Sequence, residues 1–233
     1  LSPMYMRMTL EQGYWRDGGL TPKDEETLIR QIELIKELGF NGIRMHQKIE
    51  DERFYYFCDV MGVMVWCELP SPYEFKDKMV TSVVNEWMEI VKQNYNHPSI
   101  MAWVPINESW GVQRVTVEAN QAYFTQALYY VTKSYDSMRP VISNDGWEHT
   151  VSDIITLHDY EESGERFTSR YTEHKEEILA GELTVTLNNI MLTGSEYSGV
   201  RIPITPVDSM QLSMIKMSSY GKTFSSVFNI TFR

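Results

Sequence analysis

A parallel α/β sheet closed into a (β/α)8 barrel is the fold the sequence predicts, and three observations predict it. Strand-like and helix-like segments alternate along the chain, which calls for a parallel sheet with helical crossovers. Strand segments such as "IMAWVPI", Ile100 to Ile106, are apolar throughout, as in strands buried on both faces. Almost every such run then ends in polar or ionisable residues, and in a barrel those ends converge on one face, where active sites sit. An open doubly wound sheet is also compatible with the alternation. It loses ground because no Gly-rich phosphate loop follows the first strand, which also weakens a nucleotide-dependent enzyme as a reading.

Each element has its own local signal. "MYMRMTL" is a first strand, and Thr21-Pro22-Lys23-Asp24 reads as a helix start with Thr21 as N-cap and Pro22 at the first helical position. Leu28, Ile32 and Ile35 then recur at helical spacing until Gly39 supplies the stop. "FNGIRMH" is the second strand, "DERFYYFCDVMG" a helix and "VMVWCELP" the third strand. "VTSVVNEWMEIVKQNY" is helical and leads to "IMAWVPI"; a helix around "QAYFTQALYYVTKSY" leads to "PVISN", and "DIITLHDY" is a sixth strand. Just past these runs lie Arg44 and His46, Glu68, Asn107 and Glu108, Asn144 and Asp145, then His158 and Asp159.

Length and composition set outer limits. A chain of 233 residues, 42% hydrophobic and 23% charged, can bury one sizeable core. A net charge of −11 argues against nucleic-acid or anionic-membrane partners, which need clustered Lys and Arg. No apolar run reaches the roughly 18 residues of a membrane-spanning helix, and "LSPMYMRMTLEQGYW" lacks the pattern of a signal peptide. Cys58 and Cys67, the only cysteines, read as buried free thiols, which points to a reducing, cytoplasmic setting. The start at Leu1 rather than Met suggests a piece excised from a longer chain. The stretch from Arg201 to Arg233 breaks the pattern: it carries +3, against −14 for residues 1–200, and is rich in Ser, Thr and Met without helical period.

Convergent carboxylates, an Asn, aromatics and no nucleotide or metal motif suggest glycoside hydrolysis, which needs one carboxylic acid for the leaving oxygen and a second carboxylate as nucleophile or base. Trp15, Trp66, Trp110 and Trp147 lie near strand ends, where indole faces can pack against sugar C–H surfaces. Each residue also has a plainer reading. Glu108 could cap a helix, Arg44 could pair with Glu68 to support the barrel, and His46 could be a satisfied core histidine. His158 could share a metal with His46, and Trp147 and Tyr160 could be core aromatics.

The segments from Gly13 to Ser71 ("GYWRDGGLTPKDEETL…CELPS"), "YNHPSIMAWVPINESWGVQ" and "RPVISNDGWEHTVSDIITLHDY" resemble the catalytic TIM barrel of glycoside hydrolase family 2, the β-galactosidase and β-glucuronidase family, over about residues 4–200. The resemblance implies a retaining O-glycosyl hydrolase of carbohydrate metabolism, with no cofactor or metal called for and β-sandwich domains ahead of the barrel. It places the acid/base on Glu108, with Asn107 holding a sugar 2-hydroxyl. Arg44, His46, Glu68, Trp147, His158 and Tyr160 match positions lining the pocket. A general acid must stay protonated near neutral pH, and a partly desolvated strand end beside Trp110 and other carboxylates is expected to raise the Glu108 pKa.

One part of the family pattern is missing. The nucleophile is expected on the seventh strand, in a Thr-Glu-Phe-Gly-Gly-like segment, and Tyr197-Ser198-Gly199-Val200 looks like its lead-in. The chain continues instead as "RIPITPVDSM", with no glutamate after Val200. A frame shift or other interruption near Arg201 accounts for both the loss and the change in composition. On this reading residues 1–200 are a barrel of six strands, and 201–233 an aberrant tail in place of strands 7 and 8, with "RIPITPV" and "SSVFNITF" as poor substitutes. Glu196 and Asp208 are the nearest replacement carboxylates. Without the second carboxylate the chain is expected to be slow or inactive, and the alternative is a non-catalytic carbohydrate-binding or assembly module. An unclosed barrel edge also makes a homo-oligomer plausible.

Overall fold

The computed structural model describes residues 4–173 and four strand segments beyond them. Strands β1 (Met8–Glu11), β2 (Gly42–Met45), β3 (Met64–Glu68) and β4 (Ile100–Val104) form a parallel sheet in that order. Residues 140–146 extend the wall. Trp103 donates its N–H to Pro140 O at 3.0 Å, Ile142 donates to Trp103 O at 2.9 Å, and Asp145 donates to Ile106 O at 2.8 Å. The predicted strand "PVISN" is thereby reduced to isolated parallel bridges, Trp103–Val141 and Asn107–Asp145. Pro140 has no N–H for a ladder, and the Ser143 N–H turns aside to Ser152 Oγ at 2.9 Å. Strand β5 (Ile155–His158) comes next, with the His158 N–H on Gly146 O at 3.1 Å. The result is a partial parallel α/β sheet of the barrel kind.

Helices return the chain between strands: α1 (Glu25–Glu37), α2 (Glu52–Met61), α3 (Asp77–Asn94) and α4 (Ala119–Tyr135). The first starts later than the sequence suggests. Asp24, not Thr21, is the N-cap, because its carboxylate accepts from the Thr27 N–H at 2.9 Å and the Thr27 hydroxyl at 2.6 Å. Leu28, Ile32 and Ile35 face the core as their spacing implies. Helix α2 ends at Gly62 in the left-handed region, φ 71°, where a Cβ is disfavoured. Trp87 on α3 and Trp103 on β4 meet edge to face at 5.9 Å; their indole N–H groups donate to Thr132 Oγ1 and Asp136 Oδ2. That contact docks α3 and α4 on the sheet.

Side chains alternate across each strand, and the alternation sorts the core into two. Ile43, Met45, Val65, Cys67, Ile100 and Trp103 pack outward against the helices. Met8, Trp66, Ala102, Val104, Ile142 and Ile154 form a smaller inner cluster. Arg44, between Ile43 and Met45, must therefore face inward, and so must Glu68 after Cys67. A polar layer consequently sits on the apolar inner cluster at the carboxyl ends of the strands. Cys58 and Cys67 are free and buried.

Beyond α5 (Gly164–Glu173), β6 (Thr184–Val185) pairs antiparallel with β7 (Val200–Arg201). Strand β8 (Gln211–Lys216) pairs parallel with β5 and antiparallel with β9 (Ser226–Thr231). Most of "RIPITPV" lies outside the described residues, as do Glu196 and Asp208. The "SSVFNITF" strand forms, but it runs opposite to β8, whereas all strands of a (β/α)8 barrel run parallel. No helix among the described residues is long and apolar enough to cross a membrane.

Candidate active site

Arg44 organises the rim. Its guanidinium is 1% exposed and reaches three acceptors: Glu68 Oε2 at 2.8 Å, Asp145 Oδ2 at 2.7 Å and Asn107 Oδ1 at 2.7 Å. Burial opposes its charge, but Asp145, Glu68 and Glu108 more than compensate, so its pKa is raised. Asp145 is likewise fully buried; burial pushes its carboxyl up, yet Arg44 and His158 hold it far below the usual carboxylate range. The second Glu68 oxygen accepts the Gln47 N–H at 2.9 Å. His46 Nδ1 lies 2.9 Å from the same oxygen but out of line for a hydrogen bond. The pairing of Arg44 with Glu68 that the plain reading anticipated therefore exists, and it also fixes Asn107.

Glu108 stands one residue past Asn107 with a side chain 17% exposed, so a ligand can approach it. His158 Nδ1 is 2.5 Å from Glu108 Oε1, and the Tyr160 hydroxyl donates to the same oxygen. The other ring nitrogen of His158 lies 3.3 Å from Asp145 Oδ2. Only an imidazolium donates from both nitrogens. In accord, burial disfavours the charged ring but Asp145 and Glu108 outweigh it, and the His158 pKa is raised. This arrangement corrects one expectation. Burial does push the Glu108 carboxyl up and is the largest single influence. The hydrogen bond and charge of His158, the Tyr160 hydroxyl and Arg44 together exceed it, so the pKa is lowered, not raised.

The aromatic positions divide. Trp110 is 37% exposed on the rim, edge-on to Tyr73 at 5.8 Å. Trp147 is partly buried beside Gly146. Trp66 cannot meet a sugar: it is mid-strand and buried in the inner cluster, where strand alternation sends it. Trp15 forms a small hairpin bridge with Gly19 and packs against the outer core. Among the described residues no group of three or more His, Cys, Asp and Glu side chains is arranged to hold a metal ion.

Three partners carry no mark in the sequence as site residues: Asp145, Asn144 and Gln47. Asp145 and Asn144 were visible only as polar strand-end residues, and their roles depend on a wall segment too irregular to carry a strong periodic signal. Gln47 adopts φ 51° and accepts the Ser71 N–H at 3.0 Å, a local geometry with no sequence signature.

A partial parallel α/β sheet of the barrel kind with carboxylates, histidine and tyrosine gathered at its carboxyl rim places this chain among barrel proteins that carry their sites at that face. Residues 21–189 match the family model for glycosyl hydrolases family 2, TIM barrel domain, and the chain belongs to that family. It is 34% identical over 127 residues to the β-galactosidase of Lactococcus lactis, a match covering 50% of this chain and 12% of that protein. It is 27% identical over 156 residues to the β-glucuronidase of Bacteroides fragilis, covering 62% and 21% respectively. The chain thus spans about a fifth or less of the length of these curated relatives. The fold is shared with Bacteroides uniformis β-glucuronidase 3 at a TM-score of 0.65 and 21% identity, over 74% of this chain and 23% of that one. It is also shared with the Ruminococcus gnavus β-glucuronidase, at a TM-score of 0.65 and 19% identity, over 77% and 32%.

Proposed function

We propose that this chain is the acid/base half of a retaining β-glycosidase site, with Glu108 protonating the leaving oxygen of a β-galactoside- or β-glucuronide-like substrate. The supporting observation is the partly open Glu108 carboxyl set against His158 Nδ1 on the polar rim. The proton a general acid needs is stored on the His158 ring, and passing it across that contact converts Glu108 into the neutral acid. Arg44 holds Asn107 Oδ1, which turns the amide nitrogen toward a sugar hydroxyl. Trp110 offers a face to the sugar ring, and His46, Glu68, Trp147 and Tyr160 shape or brace the pocket.

One observation favours a second reading, carbohydrate binding without turnover. No glutamate follows Val200, and Glu68 and Asp145 are sealed around Arg44 where neither can reach an anomeric carbon. The β-sandwich domains and any self-association of the barrel edge belong to the same proposal. Hydrolysis of nitrophenyl β-galactoside and β-glucuronide by the purified chain separates the readings. Turnover that Glu108→Gln lowers by about 10²–10⁴-fold supports the enzyme. Saturable sugar binding with no turnover supports the module, and neither binding nor turnover sinks both. Resequencing the gene tests the interruption: another frame after Arg201 should encode a Glu-Phe-Gly-Gly-like strand.

A further inference from the structure

Among the described residues only three non-glycine positions have positive φ, and two of them are consecutive: Glu108 at 48° and Ser109 at 55°. The left-handed region is disfavoured for any residue with a Cβ, and two in succession persist only where the surroundings dictate them. The restraint comes from across the wall. The Glu108 N–H donates to Asp145 O at 2.9 Å. The Ser109 N–H donates to Asn144 Oδ1 at 2.8 Å. The Asn144 amide nitrogen donates in turn to Ser109 Oγ at 2.9 Å and to Glu148 O at 2.6 Å. The Ser109 hydroxyl then donates to the Glu148 carboxylate. Asn144 and Ser109 are both buried, so neither side chain faces a ligand.

We infer that Asn144, acting through Ser109 and Glu148, is a positioning residue that clamps Glu108 and Ser109 in the left-handed conformation and so aims the Glu108 carboxylate at His158 and Tyr160. An amide suits the post because it supplies an acceptor to the Ser109 N–H and donors to two oxygens at once. Without the clamp the turn relaxes toward ordinary φ and swings the carboxylate off the His158 ring. The catalytic part of this inference rests on the glycosidase reading; the conformational part does not.

The test follows the His158 ring, which is faced by Glu108, Asp145, Arg44 and Tyr160, by NMR titration in the ligand-free chain. In Asn144→Ala its titration is expected to move to lower pH while the melt stays cooperative. On a nitrophenyl β-glycoside kcat is expected to fall about 10²-fold with KM changed only a few-fold, as for a mis-aimed group. Adding Ser109→Gly, which adopts positive φ without help, is expected to restore part of both. An Asn144→Ala protein whose His158 titrates as in the parent overturns the clamp, and so does the absence of any recovery in the double variant. Should Asn144→Ala fail to fold, Ser109→Ala deletes only the hydroxyl link, and an unmoved His158 titration there overturns it equally. A parent chain that turns over no glycoside refutes the functional reading instead, and the titration still decides the clamp.

Discussion

His149 and His158 are both buried behind the same rim, yet their surroundings drive them to opposite charge states. His158 lies between two carboxylates, 2.5 Å from Glu108 and 3.3 Å from Asp145, and is held protonated. The hydrogen-bond partners of His149 are neutral. Its Nε2 accepts the Thr156 N–H at 3.2 Å, and its Nδ1 is 2.7 Å from Ser152 Oγ. Burial disfavours its charge more than Asp145 favours it, and its pKa is pushed down to about 4. Burial is common to both rings; the adjacent groups set the sign. The region around His158 is therefore built to hold charge, and the loop around His149 is built to exclude it.

Removing the charge that both regions feel is the most severe way to break this contrast. Asp145→Asn leaves Arg44 with one fewer anion and His158 with one carboxylate instead of two. Breaking a buried ion pair costs about 3–5 kcal/mol, so the urea unfolding free energy is expected to drop by that amount. The His158 titration should shift downward with it, and so, to a smaller extent, should that of His149, which feels Asp145 without a hydrogen bond to it. A loss below about 1 kcal/mol would mean that Arg44 is satisfied without Asp145. Gly146→Ala is expected to act next most strongly. The glycine has φ 86°, and a Cβ there would lie 2.2 Å from the His158 ring. Left-handed strain and overpacking together imply about 2–4 kcal/mol, with the ring displaced from Glu108. A thermal melt combined with the His158 spectrum checks both effects, and a neutral outcome would show that the ring has room to move.

The contrast also separates what the sequence could reveal from what it could not. Alternation and apolar strand runs predicted β1 to β5 and the helices between them, because burial on both faces leaves a strong imprint on residue choice. The polar strand ends were equally visible, and Arg44, Glu68, Asn107, Glu108 and His158 do meet on one rim. The opposite states of the two histidines were not legible, since that of His158 depends on Glu108, fifty residues away on another wall segment, and that of His149 on how a short loop folds it back onto Ser152 and Thr156. For the same reason the Glu108 pKa was expected in the wrong direction. Desolvation could be inferred from a strand end, whereas a ring nitrogen 2.5 Å away could not. The helix start at Asp24 is ambiguous in sequence for a smaller reason, because Thr21 and Asp24 are both good caps and only the contacts to Thr27 choose between them.

The gentlest consequence concerns pH. Both histidines ordinarily titrate near 6.5. For His149 the folded value, about 4, is the lower one, so between pH 6.5 and 4 the unfolded chain binds the extra proton. Stability therefore falls as pH drops below 6.5, by no more than about 1.4 kcal/mol per pH unit for a single group. For His158 the folded value is the higher one. Its contribution is complete below 6.5 and is lost as pH rises through the folded value. The two rings thus form opposite flanks of one stability maximum near pH 6.5, above the range where Glu108 and Asp145 take up protons. Urea unfolding at half-unit intervals should show His149→Gln flattening the acid flank alone, down to about pH 5, and His158→Gln flattening the basic flank alone. If either substitution changes both flanks alike, the rings are coupled to each other more strongly than to their own neighbours. The assignment of charge to one region and neutrality to the other would then fail.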